Sequence, residues 1–101
     1  MIRIPTRRSP THPDEMLQAE FLLPLGLTQR ELADTLRIPY RKINELVNGH
    51  RSIIPAIALR LAKYFGVSAD CWINLQLRWD LYQAGKDEAE TLSQIRPYVA
   101  G

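Results

Sequence analysis

Two short, apolar-striped segments lie almost end to end between residues 28 and 47, and their spacing restricts the possible folds more than any other feature of the chain. Thr28-Gln29-Arg30-Glu31 has the pattern of a capping box, in which the Thr28 hydroxyl accepts from the Glu31 amide and the Glu31 carboxylate reaches back to the Thr28 N–H. Leu32, Ala33 and Leu36 give the helix that follows one apolar side. Arg37-Ile38-Pro39 interrupts it. The helical period resumes from Tyr40 to Val47 through Ile43, Leu46 and Val47, and Asn48-Gly49 reads as a left-handed exit. A break of about four residues holds two helices against each other at a tight turn.

Helical patterning continues on both sides. Residues 1–12, with Pro5 and Pro10 and no helical period, predict an extended or loosely ordered arm in which Ile2–Ile4 can pair as an edge strand. Pro13 at a first helical position, followed by Asp14 and Glu15, starts a helix that Pro24 and Gly26 are expected to stop. A fourth helix begins near Pro55 and closes at Gly66. Ser68 caps a fifth that carries Trp72, Ile73, Leu75, Leu77, Trp79, Leu81 and Tyr82. So much apolar surface predicts burial on more than one side, by the chain's own core and by a second copy, with Trp72, Leu75, Trp79 and Tyr82 as the seam. Gly85 is expected to interrupt, leaving a short helix from Glu88 to Ile95 before Pro97. The fold expected is therefore all-α, with five to six helices. Its organisation is an arm (1–12), a helical domain (13–84), and a short helix with a tail (85–101).

At 101 residues the chain is one domain, small enough to profit from association with a copy of itself. Its net charge of +2 says little about partners, but the distribution says more. Arg37, Arg41, Lys42 and Arg51 stand against Glu45 alone, whereas Asp80, Asp87, Glu88 and Glu90 stand against Lys86. One part of the chain can meet phosphates, and the other repels them. The single cysteine, Cys71, excludes an internal disulfide and reads as a small core residue. With no signal peptide and no apolar run beyond four or five residues, such as Phe21 to Leu25, the expected setting is a reducing cytoplasm, with nucleoid association when bound to DNA and no membrane. His12 and His50 are isolated from Cys, Asp and Glu at ligand spacing, so no metal or cofactor is expected. No nucleophile–base set or glycine-rich phosphate loop argues for an enzyme.

With Ile43, Leu46 and Val47 turned inward, Tyr40, Arg41, Lys42, Asn44 and Glu45 face solvent on the second helix of the pair. These residue types suit the major groove. Arg41 can donate two bonds to guanine O6 and N7, Asn44 can bond adenine, and Tyr40 can add van der Waals contact. Glu45 either accepts from cytosine or pairs with Arg41 at i, i+4. Gln29 at the start of the preceding helix, Lys42, and Asn48, His50 and Arg51 at the exit are placed for phosphates. Arg3, Arg7 and Arg8 have three open roles: phosphate contact, contact with a protein partner, or solubility of the arm.

The run from Leu27 to Gln76 resembles the phage-repressor-type (XRE) helix-turn-helix family, and within it the HigA-like antitoxin branch. The branch features are Thr11-His12-Pro13-Asp14-Glu15, then Ile43-Asn44-Glu45 with Val47-Asn48-Gly49, and Trp72-Ile73-Asn74-Leu75-Gln76. The resemblance implies a five-helix repressor fold, a homodimer, binding to double-stranded operator DNA, and neutralisation of a small basic toxin, a ribosome-dependent messenger-RNA endonuclease encoded alongside. Two residues depart from the pattern. Pro39 replaces the Ser or Thr cap, and Arg37 replaces the usual glycine, requiring either a positive φ at a non-glycine or a different turn. A stand-alone regulator without a toxin, and an interaction module that has lost DNA binding, are the alternatives. Two copies presenting Arg41 one helical turn apart would read an inverted repeat with half-site centres about 10 base pairs apart, or a multiple.

Overall fold

The computed structural model describes residues 10–99. The expected edge strand at Ile2–Ile4, most of the arm, and Arg3, Arg7 and Arg8 lie outside the described residues. The described residues form six helices and contain no strand.

Helix α1 opens with the turn Pro13–Met16, continues as a π-helical stretch Leu17–Leu22, and closes with Leu23–Leu25. His12 is its N-cap, its Nδ1 accepting from the Asp14 N–H at 3.1 Å. Pro24 does not stop this helix, contrary to the sequence expectation. Proline costs a helix its i−4 bond, but the wide turn has already moved the ladder to i−5, with the Leu23 N–H bonded to the Gln18 carbonyl. Gly26, at φ +65°, is the true stop.

Helix α2 (Gln29–Leu36) and helix α3 (Tyr40–Val47) form the tight pair. The capping box of α2 is complete, with the Glu31 N–H to Thr28 Oγ1 at 3.0 Å and the Thr28 N–H to Glu31 Oε1 at 2.9 Å. Arg37 takes the left-handed conformation at φ +57°. The Arg37 N–H then reaches the Asp34 carbonyl and the Ile38 N–H the Ala33 carbonyl, so the last carbonyls of α2 are satisfied and Ile38 is turned into the core.

Helix α4 (Pro55–Phe65) and helix α5 (Ala69–Asp87) pack behind this pair, and helix α6 (Ala89–Gln94) follows. Leu17 of α1, Leu32 of α2, Ile43 of α3, Leu61 of α4 and Trp72 of α5 meet fully buried in one core. Each helix therefore contributes its apolar stripe to a single centre. Gln76 is the buried polar residue, and both ends of its amide are used. Its Oε1 accepts from the Ile53 N–H at 2.8 Å, and its Nε2 donates to Asp80 at 3.0 Å. The N–H of Ile53, in the loop after α3, would otherwise be buried unpaired.

Two expectations for α5 are corrected. Gly85 does not interrupt it, because a glycine inside a helix costs about 1 kcal/mol relative to alanine yet breaks no hydrogen bond. Trp72 cannot belong to a seam between copies, since it is wholly enclosed by its own chain and packs against Phe21 with ring centroids 5.4 Å apart. Trp79 is half-buried against His12 (4.6 Å), Tyr82 lies beside Trp79, and Leu75 packs toward the core. The uncovered apolar residues of α5 are Leu77 and Leu81, exposed by 50% and 63%. No described helix is long and apolar enough to cross a membrane.

Candidate nucleic-acid interface

Three neighbours fix α3 in place. The Gln18 side chain of α1 donates to the carbonyl of Val47 at 2.9 Å, satisfying one of the open carbonyls at the end of α3. Gly49, at φ +75°, lets the exit pass close to α1, where a Cβ would sit 2.9 Å from Asp14 Oδ2. At the other end, Arg60 of α4 donates Nη1 to the carbonyls of Leu36 (3.0 Å) and Arg37 (2.9 Å), holding the turn itself. Ile43, Leu46 and Val47 are buried, so the opposite side of α3 must project.

The projecting residues form three small groups. Asn44 Nδ2 donates to Gln29 Oε1 at 2.9 Å, and Asn48 Nδ2 to Asn44 Oδ1 at 3.3 Å, giving a chain of amides that links the start of α2 to the end of α3. Glu45 accepts from Arg51 through Nη2 (2.8 Å) and Nε (3.1 Å), with Arg41 Nε at 3.8 Å on its other side. The hydrogen bond from Arg51 outweighs desolvation and holds the Glu45 carboxyl below the ordinary glutamate value. Arg30 lies over the Tyr40 ring, its guanidinium carbon 4.7 Å from the centroid. Arg41 projects into solvent, its side chain 88% exposed. Lys42 and His50 are exposed near these groups without entering a side-chain hydrogen bond or ion pair among the described residues.

Gln29, Tyr40, Arg41, Asn44, Glu45, Asn48 and Arg51 are thus gathered on one surface. Glu45 is committed first to Arg51, a pairing six residues apart that helical spacing does not suggest. Four contributing residues escaped the sequence reading. The proximity of Arg30 to Tyr40 and of Gln18 to Val47 comes from tertiary packing and leaves no local trace. Arg60 is an ordinary exposed helix residue by pattern. His12 carried a signal, because the residue before an N-terminal Pro-Asp-Glu is where a cap belongs.

The arrangement offers cations and amides on a rigid convex helix, which suits groove contact and phosphate pairing. It holds no nucleophile–base pair, and no three metal-ligating side chains converge among the described residues.

A short helix pair of this kind, with its second helix exposed and polar, defines a helix-turn-helix protein. The helix-turn-helix family description matches residues 19–70. The chain is similar to antitoxin HigA-1 of Vibrio cholerae, at 32% identity over 91% of this chain and 87% of that one. It is also similar to the uncharacterised HTH-type transcriptional regulator YbaQ of Escherichia coli, at 40% identity over 92% and 87%. The Pseudomonas aeruginosa antitoxin HigA, solved with the higBA promoter, superposes with a TM-score of 0.85 at 33% identity, covering 89% of this chain and 99% of that one. This chain belongs to the HigA-like antitoxins of the phage-repressor-type helix-turn-helix family. These two curated relatives are named as a regulator and an antitoxin, not as enzymes.

Proposed function

We propose that two copies of this chain bind an inverted-repeat operator in its own promoter with α3 in the major groove, and that the chain also neutralises a small basic toxin, a ribosome-dependent messenger-RNA endonuclease encoded alongside. The observation carrying the DNA part is Arg41, which projects from a helix anchored at both ends and beside an amide chain that fixes Asn44. Arg41 and Asn44 read bases, and Tyr40 with Arg30 over its ring packs beside them. Gln29, Lys42, Asn48, His50 and Arg51 set the register on phosphates. Glu45 orients Arg51 and lowers the free charge of the face when no DNA is present. The relative bound to a promoter supports operator binding, and the HigA name of the relatives supports the toxin.

The test is a binding titration on the chain's own promoter at several salt concentrations. Affinity should fall linearly on a log–log plot against salt as counterions are released. Arg41→Ala should cost about 1–3 kcal/mol on the cognate duplex and relax preference at one base pair. Equal weakening on every duplex would reduce Arg41 to a phosphate contact. A stand-alone regulator is the second reading, favoured by the regulator name of the 40% identical relative. An adjoining reading frame that encodes no small basic protein would select it.

A further inference from the structure

A groove of about 570 Å³ lies between α1 and α5. Met16, Ala19 and Phe21 of α1 and Leu75 of α5 line it, and the exposed carboxylates of Glu15 and Glu20 stand at its edge. The ion pairs between fixed charges among the described residues join Glu45 to Arg41 and Arg51, so neither Glu15 nor Glu20 takes part in one. Ala19, Glu20 and Phe21 belong to the π-helical stretch of α1, a wide turn that is rare and frequently accompanies functional sites. No residue of α2 or α3 contributes to the groove.

We infer that this groove receives the basic partner protein, a proposal that rests on the antitoxin reading given above. An enzyme that cuts messenger RNA must hold a polyanion, and so presents a cationic surface. A protein that blocks it by direct contact does best with carboxylates at the edge of an apolar floor, where the partner's cations are paired and water is excluded. Glu15 and Glu20 beside Met16, Phe21 and Leu75 have that composition, whereas the face of α3 is cationic and repels such a partner. Leu75 is thereby assigned to this groove and not to a seam between copies, for which Leu77 and Leu81 remain on a different side of α5. Because the groove takes nothing from α2 or α3, DNA and partner can be held together.

The probe is the protein encoded by the adjoining reading frame, titrated into the full-length chain and followed by calorimetry. Glu15→Lys with Glu20→Lys should weaken capture at least about 100-fold through like-charge contact. Ala19→Trp, which fills the groove without changing charge, should weaken it as well. Operator binding, dimer mass and thermal unfolding should stay as in the parent, and capture by the parent should weaken with salt. Unchanged capture by both variants would overturn the proposal. So would conversion of the dimer to a monomer by either variant, which would give the groove to a second copy. If the parent chain captures nothing, the toxin reading itself fails.

Discussion

Arg37 occupies a backbone region that costs an L-residue with a Cβ about 1–2 kcal/mol. The turn demands the left-handed conformation because only then can the Arg37 and Ile38 amides close onto α2. Arg37→Gly should remove the steric cost and return part of the gain through a looser unfolded chain, leaving a net stabilisation of about 0.5–1 kcal/mol by thermal unfolding. A loss of stability would mean that the Arg37 side chain makes a contact worth more than its strain. Glu31 and Glu45 speak to pH. Thr28 holds Glu31, and Arg51 holds Glu45, below the ordinary glutamate value of 4.5. A depressed carboxyl stabilises the fold above its unfolded value, and that contribution is lost as pH falls through the folded value. Stability should therefore decline below about pH 4.5, and Glu31→Gln should flatten the decline. An equally steep acid limb in Glu31→Gln would remove the capping box as its cause.

At the level of single helices, α1 and α5 show how neighbours override local signals. Pro24 reads as a terminator, but a single widened turn carries α1 past it. Gly85 reads as a break, yet its N–H keeps α5 continuous to Asp87. The join between α3 and α4 depends on α5, through the Gln76 amide that accepts from the Ile53 N–H and donates to Asp80. Gln76→Leu keeps the size but strands a buried donor, so it should destabilise by about 1–3 kcal/mol in chemical denaturation. A neutral Gln76→Leu would show that water reaches the Ile53 N–H.

The whole molecule is longer than its size requires. Its radius of gyration is 17.0 Å, with extents of 57 × 30 × 24 Å, against about 13 Å for a compact domain of 100 residues. Helices α5 and α6 carry exposed Leu77, Leu81 and Leu92, which no other described residue covers. A second copy laid along that surface would remove it from water and set two α3 helices at a fixed spacing. Leu77→Lys with Leu81→Lys should give a monomer by light scattering and lower operator affinity at least about 10-fold, since a lone half-site makes half the contacts. A persistent dimer with full affinity would place the seam elsewhere.

The sequence alone determined much of what depends on neighbours a few residues apart, though not the passage of α1 through Pro24 or of α5 through Gly85. The capping box, the short break, the stripe of Ile43, Leu46 and Val47, and the projection of Tyr40, Arg41 and Asn44 all follow from one backbone bond or one helical turn. At Arg37 the sequence left two options, a positive φ or a different turn, and the structure takes the first. Whatever depends on residues distant in sequence was left to the tertiary structure. Trp72 and Leu77 sit on one apolar helix, and only the packing of α1 and α4 against α5 sends the first into the core and leaves the second in solvent. Glu45 has Arg41 one turn away by sequence, yet the path of the loop after α3 brings Arg51 closer. Periodicity identifies apolar and charged faces, but which neighbour meets each face is decided by how the helices pack in three dimensions.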